Sequence, residues 1–167
     1  QTVYYTYCFS HPPAARIASG DTVITKTRDA SNDAFKPTDR TIAAGNLDLS
    51  RVNPQTGPFY VEGALPGDTL VVKLVRVRLN RDWAISDDGI VPRGLDSRLA
   101  VTMKDTGQNV RWHLDLAKGV ATSEKPGEHL TRYTVPLRPM LGCIAVAPNP
   151  AQAAPPTNDS GGWGGNM

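Results

Sequence analysis

Apolar positions in this chain come in short runs, each closed by glycine, proline or an aspartate-containing turn. Residues 22–27, Thr-Val-Ile-Thr-Lys-Thr, alternate and are largely β-branched, a composition that fits a pleated surface. Residues 69–75, Thr-Leu-Val-Val-Lys-Leu-Val, are apolar at almost every position, the pattern of a strand covered on both faces. The pattern predicts strands at 3–9, 22–27, 59–62, 69–78, 99–103, 110–114, 131–137 and 143–147. It predicts Val23, Val61, Leu70, Val72, Leu74, Val135, Ile144 and Val146 in the core. Residues 30–52 and 86–98 are polar and weakly periodic, so they read as long loops. No stretch carries a helical period. The fold class expected is all-β, a sandwich or barrel.

The centre of this pattern is the stretch Asn53 to Leu74. Asn53-Pro54 and Gly57-Pro58 are turn signals before the aromatic run Phe59-Tyr60-Val61. Pro66-Gly67-Asp68 then turns the chain into the second run. The sequence Ser-Gly-Asp-Thr at 19–22 is echoed by Pro-Gly-Asp-Thr at 66–69, each leading into a strand-like run. Two copies are too few for a repeat architecture, and reuse of one turn-plus-strand solution explains them.

Composition narrows the class. A chain of 167 residues supports one domain with a core, or two small ones. A formal net charge of +2 with scattered basic residues gives no reason to expect a nucleic-acid partner. No apolar run reaches the length of a membrane span. Residues 1–150 are expected to form one β-rich portion. Residues 151–167 differ in kind, being Ala, Pro, Ser and Gly with almost no apolar anchor. Ordering such a segment costs about 1–2 kcal/mol of backbone entropy per residue, so residues 155–167, if ordered, are expected to pack on another chain or on a continuation of this one. Gln1 reads as a mature N-terminus left by signal cleavage, or as an expression boundary. Cys8 and Cys143 could pair in an oxidising compartment or remain free thiols.

Candidate chemistry is sparse. His11, His113 and His129 form no local metal-binding pair. His113 lies beside Trp112 in a predicted strand and reads as structural; His129, in a charged turn, reads as solvated. His11 precedes Pro12 at a strand end, a position that can aim an imidazole. Asp29 lies just past the 22–27 strand, where a carboxylate can cap a loop, bind a metal or activate water. Glu62, between Val61 and Gly63, reads as a buried acceptor for backbone amides in preference to a group facing a substrate. Gly164-Gly165 lets backbone approach a ligand closely, and Asn166 follows it. A blue-copper site is not expected, because no histidine follows Cys143.

Taken together, Asn53-Pro-Gln-Thr-Gly-Pro-Phe-Tyr-Val-Glu-Gly-Ala64 with the following Pro-Gly-Asp-Thr-Leu resembles the signature segment of the acetamidase/formamidase family. His11-Pro12-Pro13, Gly20–Val23, Thr27–Ala30, the run Arg78–Ala84, Pro139–Pro148 and Gly164–Met167 are similar to the same family, nearly end to end. The resemblance implies a β-sandwich with small β-barrel elements and hydrolysis of small aliphatic amides to ammonia and a carboxylate. It implies Asp29 and Asn166 as catalytic residues, Gly164 and Gly165 against the substrate, and Asp29 and His11 as metal ligands. A divalent ion, zinc or calcium, would find most of its ligands outside this chain, because the family's histidine- and acid-rich segment is absent from these residues. The chain is then the N-terminal half, with the C-terminal half and further copies of itself as partners. The likeness to secreted-type members implies a periplasmic or secreted bacterial protein. The alternative is a non-catalytic β-sandwich binding or interaction module.

Overall fold

Extended segments of the kind the sequence predicts need a neighbouring backbone to satisfy their N–H and C=O groups, and which of them find one decides this fold. The computed structural model describes residues 2–39, 47–87, 98, 108–125, 129, 133–151, 153–157 and 164–166. In chain order the strands are β1 Val3–Tyr4, β2 Ala15–Ile17, β3 Gln55–Thr56, β4 Phe59–Val61, β5 Trp83–Asp87, β6 Asn109–Asp115, β7 Val120–Ser123, β8 Thr134–Pro136, β9 Cys143–Ala145 and β10 Gly164–Asn166. A 3₁₀ turn, Leu49–Arg51, is capped by the Asp48 carboxylate, which accepts from Ser50 N at 2.9 Å. The all-β class holds.

The chain divides into two compact units. The first comprises residues 1–33, 48–77 and 140–167; the second comprises 34–47 and 78–139. Each is thus assembled from segments distant in sequence.

The second unit is built on the antiparallel sheet β5-β6-β7-β8. Leu114, Ala121 and Val135 face one another across three strands, through the pairs Leu114↔Ala121 and Ala121↔Val135. Val110 and Trp112 share the Leu114 face by strand alternation. The Trp112 indole donates to Ser86 Oγ at 2.9 Å and meets Tyr133 edge-on at 6.3 Å. At the β6–β7 turn the Asp115 carboxylate accepts from Ala117 N and Lys118 N. Leu114 is 5% exposed, and its truncation to alanine removes the centre of this small core. Leu114→Ala is expected to cost about 2–5 kcal/mol, read as a lower denaturation midpoint of the sheet; an unchanged midpoint would show that the row carries little of the stability.

The first unit holds three two-stranded ladders: β1–β3 antiparallel, β2–β4 parallel and β9–β10 antiparallel. The two Gly-Asp-Thr copies make one and the same turn. Asp21 N donates to Ala18 O and Asp68 N to Leu65 O, both at 3.1 Å. Each aspartate side chain in turn accepts from Ala18 N or Leu65 N at 2.8 Å. Gly20 and Gly67 stand at φ +94° and +100°, a conformation that L side chains rarely adopt.

Several expectations need correction. Residues 22–27 and 69–78 run without turn or bend, but have no ladder partner among the described residues. Strand propensity alone does not make a strand where no partner backbone lies alongside. Val23, Leu70, Val72, Leu74 and Val146 are accordingly exposed, and Val61, Val135 and Ile144 only half-buried. Among the described residues the buried hydrophobic side chains are instead Val110, Leu114 and Ala121. β5 and β7 lie where no strand was predicted, and β6 pairs with them. The strand predicted at 99–103 lies outside the described residues. The predicted strand at 3–9 is reduced to β1 and a single bridge, Thr6↔Pro156.

That bridge shows where the described part of the Pro/Gly-rich segment lies. Residues 155–157 lie on this chain's own backbone: Tyr7 N donates to Pro155 O and Thr157 N to Tyr5 O, both at 2.9 Å. The buried Thr157 hydroxyl donates to Val52 O at 2.8 Å, and Asn53 Nδ2 reaches Thr157 O at 3.4 Å. Backbone hydrogen bonds, which need no apolar side chains, do the ordering. Thr157→Val leaves the half-buried Val52 carbonyl without its hydroxyl donor and is expected to cost about 1–3 kcal/mol, with faster hydrogen exchange at Tyr7 and Thr157; unaltered exchange would rule out the tether.

A candidate active-site cleft in the first unit

Cys8 to His11 form a turn in which His11 N donates to Cys8 O at 3.3 Å. Pro12 and Pro13 then stiffen the chain, and Ala14 N donates to Pro58 O at 2.8 Å. The turn lays the His11 ring flat on Tyr4, centroids 3.9 Å apart and planes 15° from parallel. His11 Nε2 lies 3.3 Å from Thr6 Oγ1, close enough for a hydrogen bond with the hydroxyl. Burial lowers the His11 pKa from its ordinary value of 6.5, so the neutral imidazole prevails at neutral pH.

Around this ring lies an open cleft of about 80 Å³. Tyr4, Thr6, Tyr7, Cys8 and His11 form one wall; β3, Gly57-Pro58 and residues 145–147 supply the rest. On this measure one water molecule needs about 10–15 Å³, so the space suits a ligand of a few non-hydrogen atoms. The Tyr7 hydroxyl lies 3.4 Å from Cys143 Sγ, and burial, then that thiol, raises the Tyr7 pKa far above its usual value. Cys8 and Cys143 are free thiols, both half-buried. Hydrogen bonding with Ser10, whose Oγ lies 3.1 Å from the sulfur, lowers the Cys8 pKa.

The sequence-derived site residues divide between this cleft and its surroundings. His11 lines it. β10 pairs with the strand that leads into it: Gly164↔Ala145, Gly165↔Ile144 and Asn166↔Cys143. The glycines and Asn166 are thereby placed one strand away from a wall of the cleft. Asp29 lies outside the lining residues. Its Oδ1 accepts from Ser31 N at 2.9 Å, Ser31 Oγ at 2.5 Å and Asp33 N at 3.2 Å, ordering the turn in which Asn32 and Asp33 adopt positive φ. Asn53 N donates to Ala30 O at 2.7 Å, which ties that turn to the segment entering β3.

Glu62 is not a buried acceptor for amides. It is exposed and paired with Arg16 at 2.5 Å, which lowers its pKa, while its own N–H donates to Ile17 O. Arg16 also lies over the Tyr60 ring at 4.0 Å. The sequence reading missed Tyr4, Thr6, Tyr7 and Gln55 as cleft residues. The aromatic run just before His11 was the available signal.

The described residues contain no group of three or more His, Cys, Asp or Glu side chains placed to hold a metal ion. His11 and Asp29 alone do not make a site for a divalent cation.

Comparison with known proteins bears on the family and the fold. The model of the acetamidase/formamidase family matches residues 7–155. A Schizosaccharomyces pombe protein named as a formamidase is 36% identical over 77 residues, 45% of this chain and 19% of that protein. The crystal structure of an acetamidase from Bacillus halodurans superposes with a TM-score of 0.67 at 26% identity, covering 98% of this chain and 50% of that one. The chain thus spans about half the length of the solved acetamidase and matches a smaller part of the formamidase.

Proposed function

This chain belongs to the acetamidase/formamidase family, and from that premise we propose that it forms part of an amidohydrolase that cleaves the C–N bond of a small aliphatic amide, of acetamide or formamide type. The observation that carries the reading is the cleft around His11, small enough for such an amide and walled by phenol, hydroxyl and imidazole groups.

Hydrolysis requires water to attack the amide carbonyl, a group to take the water's proton, and donors for the oxyanion that forms. The neutral imidazole of His11 is suited to take up a proton. Thr6, at hydrogen-bond distance from Nε2, and the Tyr4 ring hold that imidazole in place. Backbone N–H groups of the Gly164–Asn166 segment would be the donors to an oxyanion. The proton returned to nitrogen lets ammonia leave as the C–N bond breaks, and the carboxylate follows.

The complete enzyme includes a second polypeptide portion equivalent to the rest of the family's length, and further copies of the protein. A divalent ion, zinc or calcium, would draw its ligands mainly from that second portion; a Lewis acid there would polarise the carbonyl or acidify water. The test is ammonia release from acetamide and formamide by this chain expressed together with the coding sequence that follows it. Binding of either amide without release of ammonia would favour a binding module instead.

A further inference from the structure

Residues 69–77 carry Leu70, Val71, Val72, Leu74 and Val75, all exposed, in a run without turn or bend and without a ladder partner among the described residues. Alternate side chains of an extended chain face opposite ways. Leu70, Val72 and Leu74 share one face and are about half covered. Val71 and Val75 share the other, with Lys73 between them, and are 85% and 74% exposed. An apolar edge of this length, uncovered, is a site of strand addition.

We infer that residues 69–77 form an edge to which a β-strand of the second half of the amidase adds, its apolar side chains covering Val71 and Val75. This rests on the reading above that such a half exists. Two observations choose that occupant. The solved acetamidase is about twice the length of its match to this chain, so a polypeptide of the required size exists in a relative. Residues 69–77 contain Lys73 and Arg76 and no acidic residue. A second copy paired antiparallel about Lys73 would set the two lysines directly opposite each other, which is destabilising. The incoming strand is therefore apolar at alternate positions, with an acidic side chain facing Lys73.

The experiment compares hydrogen exchange of the 69–77 amides in the 167-residue chain and in the longer protein made with the coding sequence that follows. At least tenfold slower exchange in the longer protein is expected. Val71→Lys combined with Val75→Lys is expected to remove that slowing. Fast exchange in a longer protein that still releases ammonia overturns the edge and leaves the amidase reading standing. Slow exchange without ammonia release supports the edge and removes the amidase reading. Slow exchange in the 167-residue chain sedimenting as a dimer assigns the edge to a second copy and overturns the inference, as does a coding sequence that ends at Met167.

Discussion

Expressed by itself, this chain is expected to release no ammonia from acetamide or formamide above the buffer control. Among the described residues the lining of the cleft contains His11 but no aspartate or glutamate. Asp29, a carboxylate in the same unit, has one oxygen taken up by three hydrogen bonds within its own turn. A single imidazole supplies general-base help worth about 10²–10⁴ in rate. Rate enhancements by enzymes begin at about 10⁶, so the remaining factor must come from groups beyond those described. The check is a coupled ammonia assay on the 167-residue chain beside the longer protein. Turnover by the short chain comparable to the longer one would overturn both the division of the enzyme into halves and the placement of its chemistry.

In the longer protein, His11→Ala is expected to lower kcat/KM by about 10²–10⁴. The pH profile separates a proton-accepting role from a merely structural one. Because burial lowers the His11 pKa, the acid limb of the wild-type kcat/KM profile should fall with a midpoint below 6.5. That limb should vanish or move in the variant. The same shift makes a stability statement. Above pH 6.5 His11 is neutral in both folded and unfolded chains and adds no pH dependence. As pH falls through 6.5 the unfolded chain binds the proton first, so the folded state loses stability until it too is protonated at its lower pKa. An unchanged acid limb in His11→Ala, with the loss confined to stability, would reduce His11 to a stacking partner of Tyr4.

Much of this was legible in the order of residues. The Gly-Asp-Thr echo announced two identical turns, because only glycine sits easily at their positive φ and the aspartate carboxylate closes each with a bond to a backbone N–H. Scattered Gly and Pro with β-branched runs gave the all-β class. His11 was singled out by its position before two prolines, and it does line the cleft. These are local properties, fixed by steric limits and hydrogen-bonding reach over a few residues.

What tertiary structure decided is pairing. The apolar runs at 22–27 and 69–78 have the strongest strand composition in the chain, yet stand without ladder partners among the described residues. β7, short and polar at its end, is held on both sides by β6 and β8. Residues 155–157, with nothing apolar to anchor them, are fixed because Tyr5 and Tyr7 offer them backbone partners. Glu62 meets Arg16 only because the parallel ladder β2–β4 brings positions 46 residues apart together. A strand is a relation between two segments of backbone, so sequence sets which segments are fit for it, and only the assembled chain sets which of them have a neighbour.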